Sequence, residues 1–253
     1  MTEVPHISYA RSADGVSLAF TVAGEGPALV FVPWVPFSNR RAEWESGFLS
    51  GVFGQLARRL TLIHYDGRGT GHSQRDVTDL SMEAMVADLE AVVGQVGAGE
   101  VSLLGQYNSC PHAIAYAARH PQRVRRMALF DGSPRGWNAM SAPQTQALLS
   151  LIEQDWDVFA DTAAHQWMGW SAGEAGPAMA NAIRDAVTPQ IARATLQAAS
   201  ATDVTEDLMR TDRGGPSCHG RSSRLRTRRV RRSTARQSRP ELTCSSRAWS
   251  AST

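Results

Sequence analysis

Residues 103–121, LLGQYNSCPHAIAYAARHP, pass from an apolar strand-like run through a short polar turn into an alanine-rich helix that ends at a proline. Nothing else in the chain narrows the choice of fold as much. Ala113, Ala115, Ala117 and Ala118 give the helix a thin flank that allows close packing, and Pro121 stops it because proline cannot continue a helical ladder. A strand that leads directly into a helix belongs to architectures in which the two alternate and the strands lie parallel.

The flanking segments repeat that alternation. Residues 28–32, ALVFV, form the continuous apolar run of a strand buried on both faces, and residues 62–65, 101–104 and 127–130 read as further short strands. Between them Phe48, Leu49, Val52, Phe53, Leu56 and Leu60 recur at helical spacing. Ser81 is positioned to cap a helix striped by Met82, Met85, Val86, Leu89, Val92, Val93 and Val96 and ended by Gly97. Residues 9–20 carry an Asp14-Gly15 turn between alternating segments, which predicts an edge hairpin. The expected fold is therefore α/β, a mostly parallel central sheet with helices on both faces.

After residue 136 the strand pattern stops. Leu148, Leu149, Ile152, Trp156 and Phe159 line one helical face, and Met179, Ile183 and Val187 begin another. We expect a core over residues 1–136 and a helical lid that returns to the core over 137–210. Trp137, Trp156, Trp167 and Trp170 of the lid are expected to serve packing.

Residues 211–253 differ in kind. The formal charge of the whole chain is only +2. The last 43 residues nevertheless carry eleven arginines against Asp212 and Glu241, and the first 210 are net acidic. Leu225, Val230, Leu242 and Trp249 are the bulky apolar side chains of this tail, too few to build two core strands, so disorder is expected. The chain has no lysine, the mark of a GC-rich gene, and a reading-frame shift near codon 210 would produce such a composition; the last two strands of the sheet would then be missing. The rival reading is an arginine-rich arm that contacts nucleic acid, although nucleic acid is not the expected partner. No apolar stretch approaches the roughly 18 residues of a membrane span, and the N-terminus lacks the features of a secretory signal. Cys110, Cys218 and Cys244 suggest neither a disulfide framework nor a zinc site. A cytoplasmic protein without a metal or organic cofactor is expected.

With these elements in place the chain resembles the α/β-hydrolase superfamily over residues 7–210. YDGRGTGHS, residues 65–73, is similar to the glycine-rich loop after the fourth strand of that fold; Gly67, Gly69 and Gly71 do not give the G-x-G-x-x-G spacing of a dinucleotide site. LLGQYNSCPHAIAYAARHP resembles the nucleophile elbow, G-x-S-x-G in the superfamily. Counted from Gly105, the nucleophile position holds Tyr107, followed by Asn108, and the closing glycine position holds Ser109. The segments DGRGTGHSQRDVTD and AIAYAARHPQRV resemble hydrolase-like domains found in bacteria beside helix-turn-helix regulators or nucleotide cyclases.

The resemblance implies a hydrolase scaffold with a degenerate elbow, one that binds a small apolar ligand and is impaired in catalysis. A phenol with an ordinary pKa near 10 is a poor nucleophile. The loop that contributes to the oxyanion hole reads Val32-Pro33-Trp34-Val35-Pro36, whose prolines donate no N–H while Trp34 adds bulk. One alternative is an esterase-like hydrolase acting on an ester substrate through Ser109, with Asp131 or a lid histidine such as His165. Another is action on nucleic acid through the basic tail. On the leading reading Ser109 caps the following helix, Asp131 shapes a turn, and Trp34, Tyr107 and Asn108 line the elbow.

Overall fold

The computed structural model describes residues 4–136, 143–171, 173–212 and 217–218. The chain divides into a compact unit, Met1–Arg221, and a second unit, Ser222–Thr253, that lies wholly outside the described residues. The expectation of a disordered tail lies almost entirely outside the described residues, as does the packing role expected of Trp137.

Seven strands form one sheet: β1 (Ser8–Arg11), β2 (Ser17–Ala23), β3 (Ala28–Phe31), β4 (Thr61–Tyr65), β5 (Val101–Gln106), β6 (Val124–Phe130) and β7 (Ser217–Cys218). Their order is β1-β2-β4-β3-β5-β6-β7. The hairpin β1–β2 is antiparallel and joins β4 antiparallel; from β4 to β7 every neighbour is parallel. β7 pairs with β6 only at Arg126 and Met127. The last two strands were expected to be missing, and among the described residues the two-residue β7 is what the sheet has beyond residue 210.

Alternation along β3 explains the layers. Val30 and Val32 join the larger core under α3 (Met82–Val96) and α4 (Cys110–Arg119), while Leu29 and Phe31 face Trp44 of α1 (Arg40–Glu45) and Phe53 of α2 (Gly47–Ala57). Buried on both sides, β3 has no polar face to show. Ser81 Oγ accepts from Ala84 N at the start of α3, and Gly97 ends it at φ 72°, a left-handed cap that suits glycine.

The segment expected to form a lid comprises α5 (Pro143–Gln154), α6 (Trp156–Met168), α7 (Ala175–Ala186) and α8 (Pro189–Ser200). Its expected continuous face from Leu148 to Phe159 is two helices, because Asp155 leaves the helix at φ −159° and accepts from Val158 N as the cap of α6. Val187 is extended and bridges Thr70 rather than continuing α7. The lid has its own core of Ile152, Phe159, Ala160, Ile183 and Leu196, closed from below by Phe37. α9 (Thr205–Asp212) returns to the main core, where Val204 and Leu208 pack.

The glycine-rich loop is a clasp that holds sheet, α1 and lid together. Asp66 is buried and accepts from the backbone N–H of Arg40 and of His72 and from Arg40 Nη1 at 2.5 Å. Gly71, at φ 50°, lies so close that a Cβ there would stand 2.4 Å from the Asp66 carboxylate, and its N–H donates to Ala186 O of the lid. Arg68, 1 % exposed, donates to both carboxylate oxygens of Asp88 and also binds Asp14.

Candidate functional site

The site is built where β5 and β6 end side by side. Their parallel register runs to Gln106↔Phe130, so the next residues, Tyr107 and Asp131, leave adjacent strands together. Both adopt left-handed backbone, φ 49° at Tyr107 and φ 48° at Asp131, the two side-chain-bearing residues so marked among those described. Such geometry costs of order 1–3 kcal/mol per residue and is held in place by surrounding structure. Here close packing supplies that support. A Cβ on Gly105 would meet Cys110 Cα at 3.2 Å and Ala113 Cβ at 3.3 Å, and one on Gly132 would meet Cys110 Sγ at 2.1 Å and Tyr107 O at 2.9 Å.

Tyr107 therefore occupies the apex, in a single 3-10 turn between β5 and α4, with 45 % of its surface exposed. Burial and, secondarily, the nearby Asp131 carboxylate push its phenol above the ordinary tyrosine pKa. At neutral pH fewer than roughly one phenol in a thousand is ionised. The side chain is a hydrogen-bond donor with an aromatic face. Among the described residues its ring neighbours are Trp34, 6.4 Å away, and Phe130, 6.0 Å away and edge-on.

Ser109 lies two residues on and is fully buried. Its Oγ accepts from Gln106 N and donates to Gln106 O, both at 2.9 Å. The hydroxyl thus turns back to the strand it follows and makes no cap bond to α4, which differs from the capping role expected of it. Asn108 reaches the other way, its Nδ2 donating to Val35 O and tying the turn to the Trp34 loop. Asp131 is exposed at the rim.

Aromatic rings extend the surface from Tyr107 to the lid. Trp34 packs 5.0 Å from Trp167 of α6 and 5.9 Å from Phe37, and Phe37 lies 5.4 Å from Trp167. Phe37, Phe130, Gly132 and Trp167 lie around Trp34, Tyr107 and Asn108, the residues expected to line the elbow. The signal for Phe130 and Gly132 was the FDGSPR turn, which reveals its role once the β5–β6 register is known. His165, the lid histidine considered as a base, instead stacks on Trp170 at 5.2 Å with Nδ1 2.7 Å from Asp161 O.

The remaining polar groups near the elbow are damped by burial. The Cys110 thiol is 1 % exposed and pushed up to about 12 by burial. His112 is driven down to about 4 by burial and lines a small cavity with Val35, Met82, Met85, Thr195 and Ala198. Elsewhere His64 of β4 lies 3.0 Å from Glu43 of α1, and His72 lies 3.6 Å from Asp66. Among the described residues no group of three His, Cys, Asp or Glu side chains is placed to hold a metal ion, and no helix is long and apolar enough to cross a membrane.

Comparison with known proteins agrees with the fold. An uncharacterized protein of Mycobacterium tuberculosis, Rv2715, is 28% identical over 121 residues, 48% of this chain and 33% of the relative. The chain spans less than half the length of the curated relatives it matches. Among solved structures, a bromoperoxidase from Bacillus anthracis superposes with TM-score 0.68 at 18% identity, covering 81% of this chain and 78% of that one. An esterase from Exiguobacterium antarcticum gives 0.67 at 19%, covering 79% and 76%. The model of the alpha/beta hydrolase fold matches residues 41–174, more than half of the sequence, and the chain belongs to that family.

Proposed function

We propose that this protein uses the hydrolase scaffold to bind a small apolar molecule at the elbow and is impaired as a serine hydrolase. The observation that carries the reading is the exchange of roles at the turn. A phenol held in its neutral form stands at the apex, and the nearest hydroxyl, Ser109, is buried with both its bonds made to Gln106. A hydroxyl nucleophile is activated by a base that takes its proton or by a lowered pKa, and the Tyr107 phenol is instead pushed up by burial beside the rings of Trp34 and Phe130. Trp34, Phe37, Tyr107 and Trp167 offer the apolar surface that small-molecule sites favour. The family alone does not decide between such uses, since one fold hosts many functions.

Covalent labelling with a fluorophosphonate probe tests the impairment, because the probe reports any activated serine without knowledge of the substrate. No labelling is expected from the native chain. Labelling that vanishes in Ser109→Ala and survives in Tyr107→Phe would show an active serine hydrolase and reverse the proposal.

A further inference from the structure

We propose that the seam between α8 and the elbow helix α4 holds a separate small-molecule site, which takes the hydroxyl group of a short uncharged alcohol between His112 and Thr195. None of the rings beside Tyr107 lines this space, so the site is independent of the reading given for the elbow. It is bounded by α3 through Met82 and Met85, by α4 through His112 and by α8 through Thr195, Ala198 and Ala199. Partly open to solvent, it admits about one water molecule, which is room for a hydroxyl.

Thr195 marks the space as more than a packing gap. The residue is 4 % exposed, and its Oγ1 is buried with no hydrogen-bond partner among the described residues. A threonine in a helix can turn its hydroxyl to the carbonyl one turn back. Thr202, just past the end of α8, does so and donates to Ala198 O at 3.2 Å. Thr195 does not, although a buried hydroxyl left unpaired is costly. His112, 8 % exposed, lines the same space from the opposite helix. A ligand hydroxyl placed there would satisfy Thr195 and bond to the imidazole.

The lining sets the class of ligand. No ionised side chain borders the space, and burial alone keeps His112 neutral. A carboxylate or an ammonium entering it would lose its water without gaining a counter-charge. A neutral imidazole carries one N–H and one lone-pair nitrogen, and a threonine hydroxyl both donates and accepts. An alcohol hydroxyl also does both and so bonds to the two at once, whereas an ester carbonyl only accepts. The alkyl chain would run outward past Met82 and Met85, whose unbranched thioether chains adapt to the shape beside them.

The test is titration of the whole chain near neutral pH with propan-1-ol, propylammonium and propanoate, followed by imidazole proton NMR. The His112 signal is the one that titrates at about 4. Propan-1-ol is expected to shift it and to saturate at roughly 10 mM, with both ions at least about tenfold weaker. In Thr195→Val, which keeps the shape and removes the hydroxyl, affinity should fall about fivefold. The urea midpoint of that variant should stay level or rise, because the hydroxyl has no bond in the protein to lose. Affinity should be unchanged in Trp34→Leu. A shift that grows without saturating, an ion that binds as tightly as the alcohol, equal affinity in Thr195→Val or a lower urea midpoint for that variant overturns the site. Loss of affinity in Trp34→Leu places the alcohol on the rings beside Tyr107 and overturns it as well.

Discussion

His112 sits on α4 one turn beyond the elbow, enclosed by Met82, Met85 and Thr195, and burial keeps its imidazole neutral. In the unfolded chain it would titrate near 6.5, in the folded one near 4. Between those values the unfolded state binds a proton that the native state does not, so stability is present above the unfolded value and is lost as pH falls toward the folded one. The loss amounts to at most roughly 3 kcal/mol. In urea titrations from pH 7 to 4.5, His112→Gln should lose less stability than the native chain; parallel curves would refute the assignment. His112 and Tyr107 show what a sequence reveals at this scale. The apex position of Tyr107 followed from counting between Gly105 and the proline-ended helix, since a strand, a tight turn and a helix leave one register. The direction of the Ser109 hydroxyl did not, because a serine there bonds forward to the helix or backward to the strand with equal chemical ease. The burial of His112 depends on α8, which arrives from the lid.

At the level of elements the glycine-rich loop is the instructive case. Its glycines and Asp66 were legible as a family motif, but their work is structural: Arg68 brings β1's turn, the loop and α3 into one ion network through Asp14 and Asp88. Burial raises the Asp88 pKa against the opposing pull of Arg68, while the exposed Asp14 is lowered by its hydrogen bond from Arg68. Removing the guanidinium alone would strand a carboxylate that is 1 % exposed. Arg68→Met should therefore cost about 3–5 kcal/mol, and the double variant Arg68→Met, Asp88→Leu should recover part of that loss, since the uncompensated charge is gone. Equal urea midpoints for the single and double variants would refute this account. α1 was missed for a related reason: RRAEWE has only Ala42 and Trp44 as apolar residues, too few for a periodic signal. It forms because Asn39 caps it and because Asp66 takes both the backbone N–H and the side chain of Arg40. α3, with a stripe and caps written into its own residues, was legible from end to end.

For the molecule as a whole the layers follow from alternation along the strands, and the lid from the switch to helical spacing after residue 136. What local pattern could not reveal is the sheet's last edge. β6 has seven residues, and β7 covers it only at Arg126 and Met127. At the end of β6 Phe130 is 55 % exposed, large for an aromatic side chain on a strand. Along Ala128, Leu129 and Phe130 no strand pairs with the outer side among the described residues. An edge left open among the described residues and ending in an apolar ring is a template for pairing with another chain, and a lysine at such a place is a known deterrent. Sedimentation across a concentration series should accordingly show self-association of the native chain that weakens in Phe130→Lys. The folded state should lose less than about 1 kcal/mol, because the replaced ring is mostly in solvent already. A native chain that stays monomeric throughout the series, or a Phe130→Lys variant that associates as the native chain does, would refute the account of this edge.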